Sequence, residues 1–434
     1  MRDLLFTNDA RGEYPKSYYA ATATPLDPFP EAKGDLKADV AIVGAGFTGL
    51  SAALHLAEAG MDVILLDAQR VGFGASGRNG GQIASGQRND QDELEKLVGL
   101  DDAKKLFAIA QEANQLVRDL SADMPDAQVL DGIIHACHRK RYVADEHEYA
   151  EKMARDYGYD NIEPLDAQEL RALCNSPRYF CGALDKGAGH IHPLNFALGL
   201  ARKEQSAGVR IFENTRVQSA DLENAKPILK SKDAQITAKH VLLACNGYLG
   251  SLNNQVAARV MPINNFIVAT ERLDNATRQN ILRNDHAVAD SKFVVNYFRF
   301  SETGRMLFGG SESYGYKFPS NIEAAVRRPM EHIFPQLKGV KVDYAWGGTL
   351  AITMQRMPYF VRLSKSALNA SGYSGSGVAM ATMGGKMAAL AIQGQAEKFD
   401  TMSRIPTQRF PGGSKLRNPL LVAAMLWYQF RDMI

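Results

Sequence analysis

Six consecutive residues near the start of the chain, Gly44-Ala45-Gly46-Phe47-Thr48-Gly49, carry the spacing G-x-G-x-x-G, and an acid, Asp67, follows about twenty positions on. Gly44 allows a tight turn and Gly46 lets an anionic group approach the backbone. Gly49, with the small Ser51, Ala52 and Ala53 after it, lets a helix lie close against a sheet. The amides that open such a helix face a pyrophosphate. A carboxylate at the end of the next strand accepts from ribose hydroxyls and disfavours a 2′-phosphate. The spacing alone is a weak signal; a strand before it, a helix after it and an acid closing the next strand make it specific. Cofactor candidates here are Gly44, Gly46, Phe47, Thr48, Gly49, Asp67, Ala68 and Gln69.

A second glycine-dense stretch, Gly72-Phe73-Gly74-Ala75-Ser76-Gly77-Arg78-Asn79-Gly80-Gly81-Gln82, comes shortly after the acid. Backbone amides at that density suit a long anionic ligand whose ring continues past the pyrophosphate. The same composition also serves mobile surface loops. No second G-x-G-x-x-G stands in a strand-to-helix setting, so no separate nicotinamide site is inferred. Together the two stretches predict FAD, with electrons drawn from the substrate itself, and Ala75, Ser76, Arg78, Asn79, Gly80, Gly81 and Gln82 join the cofactor candidates.

For the substrate, Arg299 in Tyr297-Phe298-Arg299 offers a guanidinium fork to a carboxylate, though a lone arginine in a strand serves as often in a structural ion pair. Arg356, just before Met357-Pro358, is a weaker competitor. Tyr297, Trp346 and Tyr373 are candidates for an apolar wall beside the cofactor, with core packing their commoner use. Arg299, Tyr297 and Tyr373 are the residues assigned to the reaction. His190 and His192 alternate on a possible strand without a third ligand in view. His135 and His138 lie beside Arg139, Lys140 and Arg141, which would repel a cation, so no metal site is assigned. Cys174 and Cys181 read as buried thiols.

The elements that must position these groups are legible as patterns. Residues 38–43 form a β-prone run, 49–59 a small-residue helix and 61–66 an apolar strand, which is a βαβ unit with a parallel sheet. Residues 92–119 have apolar positions at helical spacing, and 129–143 look strand-like. Residues 196–205 predict a helix, with strands at 209–212 and 241–245. Strands at 266–270, 293–300 and 306–309, with a helix around 322–333, predict a mixed sheet closing over a ligand. Strand 367–370, turn 372–377 and helix 378–393 return to the first pattern. Residues up to about Lys33, rich in Pro and aromatic side chains, read as an extended strap.

The resulting division is an arm at 1–33 and a discontinuous FAD-binding domain at 34–90, 185–255 and 345–395. A substrate domain takes 91–184 and 256–344, and a C-terminal helical extension 396–434. The class is α/β, or α+β overall: a Rossmann-type domain with a second, mixed-sheet domain.

At 434 residues the chain is long enough for two domains sharing a substantial core. Lys plus Arg number 50 against 48 Asp plus Glu, a net +2 that gives no reason to expect nucleic acid or an acidic membrane surface as partner. The expected partner is small. Four scattered cysteines make no disulfide framework and fit a reducing cytoplasm. Residues 1–16 lack the apolar stretch of a secretory signal. The apolar run at 420–428 is about half of the roughly 20 residues needed to cross a bilayer, and reads as a packed terminal helix.

With these residues in view, the sequence resembles the D-amino acid oxidase superfamily of flavoenzymes, which includes glycine oxidase and sarcosine oxidase, and looks closest to the gamma-glutamylputrescine oxidase branch. The motifs carrying the resemblance are the Tyr18-Tyr19 arm, Gly74 to Gln82, Gly189-His190-Ile191-His192-Pro193 and Asn246-Gly247-Tyr248. Tyr297-Phe298-Arg299, Phe308-Gly309-Gly310, Trp346-Gly347-Gly348, Gly372-Tyr373-Ser374-Gly375 and the terminal Trp427 to Asp432 complete them. Their order along the chain is more specific than any one of them.

The resemblance implies that Ser76, Arg78, Asn79, Gly80 and Gly81 border the pyrophosphate and flavin and that Val217 lies on the adenine side. It also implies that Gly372, Tyr373, Ser374, Gly375 and Gly377 lie at the pyrimidine edge. Relatives often have His where this chain has Ser376. The Cys near residues 346–358 and the His in the glycine loop that bind flavin covalently in some relatives are absent, so non-covalent FAD is expected. The implied reaction takes the α-hydrogen of a neutral amine as hydride to flavin N5 and leaves an imine that hydrolyses. Oxygen then reoxidises the flavin and yields hydrogen peroxide. A strong general base is not required. Transfer of electrons to a quinone or carrier protein is the alternative, and a flavin-binding module without turnover the more distant one.

Overall fold

In the computed structural model, which describes residues 3–127 and 129–412, the apolar runs become the centre of a parallel sheet. Its strand order is Tyr359–Ser364, Ala367–Ser371, Ala234–Leu243, Gly34–Val43, Val63–Leu66 and Arg210–Phe212, with Ser219–Asp221 and Ile228–Lys230 extending it beside Ala234–Leu243. Alternate residues enter different cores. Val40, Ile42, Val63 and Leu65 pack into a large core with the helices Phe47–Glu58, Pro193–Ser206 and Gly377–Ile392. Ala41, Val43, Ile64 and Leu66 pack into a second core with Leu229, Val256 and Val260. A strand buried on both faces has to be apolar at every position, which is why these runs do not alternate. Val43 pairs with Leu66 and with Leu243, and Leu243 with Asn369, so the carboxyl ends of four strands stand level. The loops that leave those ends form one rim, the place where open parallel sheets bind ligands.

A second sheet carries the other wall. Its order is Val342–Ile352, Met261–Arg272, Arg305–Ser313, Tyr297–Phe300, Ala287–Asp290, Leu130–Cys137, Cys181–His190 and Gln82–Ile83, with Ile162–Leu165 also on Cys181–His190. Phe266, Phe298 and Phe308 pack from this sheet against Val326 and Met330 of the helix Ile322–Ile333. The mixed sheet expected from the sequence is present, and the fold is α/β.

Several boundaries differ from expectation. Cys181–His190 and Val342–Ile352, which span the expected starts of the dinucleotide unit's later stretches at 185 and 345, pair in the second sheet. The helices Gln91–Val98 and Leu100–Ser121, separated at Gly99 with φ +82°, contribute Leu94, Leu106, Ile109 and Leu116 to the large core. They belong with that core rather than with the substrate unit. The expected strand at 293–300 begins only at Tyr297. The Asp290 carboxylate accepts from the Asn296 backbone amide at 2.9 Å and its side-chain amide at 2.7 Å, which turns residues 291–296 into a loop. The arm holds two one-turn helices, Leu4–Thr7 and Tyr18–Thr22, where plain extension was expected. The terminal segment at 420–428, Trp427 to Asp432 and most of the 396–434 extension lie outside the described residues. Among the described residues no helix is long and apolar enough to cross a membrane.

The two helices that open toward the rim touch backbone to backbone. A Cβ on Gly385 would stand 2.3 Å from the Thr48 carbonyl and 2.7 Å from the Ala52 amide. Gly385→Ala should therefore force the helices apart, at a cost of about 1–3 kcal/mol. Gly86→Ala, in open space, should cost much less. Thermal melts of both variants check this; equal midpoints would show that the crossing tolerates a methyl group.

Candidate functional site

The rim opens into a cleft of about 510 Å³ that runs between the two sheets. Gly44, Gly46, Phe47, Thr48, Asp67, Ala68 and Val217 line one part of it; Ala75, Ser76, Arg78, Asn79, Gly80 and Gln82 line the middle; Tyr373, Ser374, Gly375 and Gly377 line a third. Sequence-predicted residues from five separate stretches thus share one cavity.

Each stretch is held by identifiable contacts. Asp67 accepts from the Ala45 amide at 2.7 Å and the Gln69 amide at 2.8 Å, which ties the end of the second strand to the glycine turn. Burial outweighs those hydrogen bonds and pushes the Asp67 carboxyl up to about 6. The Ser76 hydroxyl accepts from the Phe47 amide at 3.0 Å, joining the turn to the second glycine loop. Asn79 organises that loop, donating to the carbonyls of Ala75 and Ser76 and accepting from the Gly81 amide. Tyr373 and Thr48 share a hydroxyl hydrogen bond of 2.7 Å, so Tyr373 pins the late loop onto the glycine turn as well as facing the cleft. The helices that begin at Phe47 and Gly377 have no side-chain cap at Gly46 or Ser376, so both open N-termini meet the cleft.

Four cofactor candidates stand behind the lining and act on geometry instead. A Cβ on Gly49 would lie 1.8 Å from the Gly44 carbonyl, and one on Gly81, at φ +77°, would lie 2.1 Å from the Ile191 carbonyl. Gln69 holds the arm, donating to Leu5 and accepting from Gly12. The Gly372 amide donates to Asn246 at 2.9 Å. Arg78 lines the cleft but is engaged mainly with protein: it donates to Phe73 and Gly347 and pairs with Asp9 of the arm at 3.0 Å. Its Nη2 is buried with no partner among the described residues.

The residues expected at the substrate are divided between the cleft and the protein behind it. Arg299 does not line the cleft. It is buried, donating from Nε to Gly80, from Nη1 to Phe300 and from Nη2 to Ile191 and to the Tyr19 hydroxyl. Four of its five donors are thereby occupied, and it holds the Gly80 loop, the arm and the segment after His190 together. Trp346 is also buried behind the wall, donating from Nε1 to the Arg78 carbonyl. Tyr297 does face the cleft, its hydroxyl on Asn265, and it lies so close over Gly80 and Gly309 that a Cβ on either would strike the ring. Of the two arginines considered for the substrate, Arg356, the weaker candidate, reaches the cleft.

The histidines that invited a metal serve structure. His190 hydrogen-bonds the Asp285 carbonyl, and His192 accepts from Asn195 as a helix cap; burial and the nearby Arg299 hold both down at about 3. Sequence reasoning missed Arg88, Glu312, Phe293 and Val295 in the lining, and also Asp3 and Leu5 of the arm. Glu312 sits in an ordinary strand and Arg88 in a loop, and neither has a spacing that could mark it.

A match to the family described as DAO, FAD dependent oxidoreductase, spans residues 39–391. The chain is 39% identical, over 96% of its length and 97% of the relative's, to a "Probable oxidoreductase OrdL" of Rhizobium meliloti. It is 37% identical, over 97% and 99%, to the gamma-glutamylputrescine oxidoreductase of Escherichia coli. In fold it is similar to the crystal structure of glycine oxidase from Geobacillus kaustophilus, with a TM-score of 0.72 and 18% identity over 83% of this chain and 95% of that one. The glycine turn with its acid, the cleft between a parallel and a mixed sheet, and a match of this extent agree: the chain belongs to the DAO family of FAD-dependent oxidoreductases.

Proposed function

We propose that the chain oxidises the carbon–nitrogen bond of a small amine, of gamma-glutamylputrescine or secondary-amine type, to an imine that hydrolyses. The observation that supports this most is that one cleft continues from Asp67 and Val217 to Tyr297 and Glu312 on the second sheet and to Phe293 in the loop before Tyr297. A dinucleotide and a small molecule can therefore share it. Bound FAD supplies the hydride acceptor. The residues fit that group: two helix N-termini whose cap residues, Gly46 and Ser376, make no side-chain cap bond, a ribose-side acid, and a buried guanidinium nitrogen of Arg78 without a partner among the described residues.

Around the substrate, the chain's own contribution is placement and exclusion of water. Tyr297, Phe293 and Val295 give the cleft apolar walls, and such walls favour an amine in its neutral form. Cys245, the cysteine in the lining, is a thiol pushed up to about 12 by burial, with its Sγ on the Val43 carbonyl. That supports a dissociable rather than a covalently attached flavin.

Anaerobic addition of gamma-glutamylputrescine, N-methyl amino acids or alkylamines to the FAD-loaded protein should bleach its visible absorbance with at least one of them. In air, that amine should give hydrogen peroxide in step with its consumption. Peroxide-free turnover with an artificial dye would instead assign the electrons to a quinone or carrier protein, and no bleaching by any amine would overturn the reading.

Asp67 predicts a pH dependence. Its carboxyl is raised in the fold, so its contribution to apoprotein stability is complete below about pH 4, the ordinary carboxylate range, and is lost as pH rises through about 6. FAD, in contrast, prefers the ionised acceptor. Affinity for FAD should therefore rise between pH 5 and 7, and Asp67→Asn should flatten that rise and weaken binding about ten- to a hundredfold. Fluorescence titration with FAD at several pH values measures both.

Arg299→Met should lower the melting temperature and weaken FAD binding, since three carbonyls lose a donor at about 1–3 kcal/mol for each group left buried and unpaired. A raised KM for the amine with unchanged melting and FAD affinity would return Arg299 to the substrate.

A further inference from the structure

Three charged side chains face the cleft from separate parts of the chain. Glu312 comes from the strand Arg305–Ser313, Arg88 from the loop after Gln82–Ile83, and Arg356 from the turn before Tyr359–Ser364. They stand close enough to influence one another's ionisation, the two arginines opposing the upward push of burial on the Glu312 carboxyl. Yet none of the three belongs to an ion pair among the described residues. Tyr314 donates to Glu312 Oε2 at 3.1 Å, and Oε1 has no hydrogen bond among the described residues. Arg88 donates from Nε to the Ser374 carbonyl at 3.2 Å, so its terminal nitrogens remain for something else. Arg356 lies over the Phe293 ring at 5.3 Å, an arrangement that steers the guanidinium without neutralising it.

The backbone here is also unusual. Arg356 has φ +63° and Ser374, which holds Arg88, has φ +52°, so two residues with side chains occupy the left-handed region that glycine adopts without strain. Asp290, another carboxylate in the lining, differs from Glu312 in being engaged: both its oxygens accept from Asn296. Half-buried charges of both signs, held near each other but not closed into pairs, form a receptor for a ligand that brings both signs.

We propose that Glu312, Arg88 and Arg356 together receive an α-amino acid group, its carboxylate toward the two guanidinium groups and its ammonium toward Glu312, carried on the same molecule as the amine that is oxidised. A plain alkylamine would leave both arginines unmatched, and a simple carboxylate would leave Glu312 unmatched. The three residues thus set specificity for a substrate with a zwitterionic head and a neutral amine at its far end. This rests on the amine-oxidising reading and adds to it which groups recognise the non-reacting end.

The test uses the FAD-loaded enzyme and four substrates with the same aminobutyl arm: gamma-glutamylputrescine, glutarylputrescine without the ammonium, 4-aminobutanoylputrescine without the carboxylate, and N-acetylputrescine with neither. In wild type, kcat/KM should fall at least about tenfold on losing either group, as for a site whose polar partners are left unmatched. In Glu312→Gln the ratio between the first two substrates should shrink toward one while the ratio between the first and third persists. Arg356→Met should do the reverse. Equal kcat/KM across the four in wild type, a measurement that needs no variant, would overturn the proposal. So would variants that slow every substrate by one factor. Rapid flavin bleaching by N-acetylputrescine and gamma-glutamylputrescine alike, or bleaching by N-methyl amino acids or alkylamines but by none of the four, would remove this inference and leave amine oxidation standing, whereas no bleaching by any of these amines would remove both.

Discussion

The molecule depends on how near two backbones can come at the carboxyl edge of the parallel sheet. Gly49 lies so close over the Gly44 carbonyl, and Gly385 so close over Thr48 and Ala52, that neither position has room for a side-chain carbon. This proximity sets the two helix N-termini at one cleft and brings the Ala45 amide within 2.7 Å of Asp67. The two helix N-termini, the Asp67 carboxylate and the late glycine loop are thereby fixed relative to one another, the kind of preorganisation that tight dinucleotide binding needs.

Around that edge, the groups with the strongest chemistry are divided between holding the site and facing it. Arg299 and Trp346 look like substrate residues by type, yet their donors go to backbone carbonyls of the loops that form the wall. Tyr373 does both, lining the cleft while its hydroxyl meets Thr48. The arm takes part as well: Asp9 pairs with Arg78 and Tyr19 packs on Trp346, so the first residues of the chain brace the second glycine loop. Arg88, Arg356 and Glu312 line the cleft without an ion pair to one another or to other described residues.

The dinucleotide half was readable because its signals are local. A glycine at a fixed spacing has one steric purpose, and runs such as Val63–Leu66 have to be apolar at every position when both faces are buried. The same locality explains the accurate helix at Ile322–Ile333. The substrate half was opaque because its lining is assembled by long-range pairing: Glu312 lies opposite Asn265, and Arg88 reaches Ser374, contacts that no window of sequence contains. The surroundings of Arg299 were hidden for a related reason. Its type suggests a carboxylate, but its partners Gly80, Ile191 and Tyr19 come from three distant segments. The strand at 293–300 was overextended because the Asp290 carboxylate competes for the Asn296 amide, a side-chain interaction that outweighs the β-propensity of Phe293 to Val295.

The central claim, that the glycine turn, Asp67 and the second glycine loop grip one flavin dinucleotide, is tested most directly by titrating flavin-free protein with FAD and following both visible absorbance and melting temperature. One equivalent should saturate the spectrum and raise the melting temperature, and NAD at the same concentration should do neither. A protein that stays colourless and melts at the same temperature with excess FAD would contradict the account.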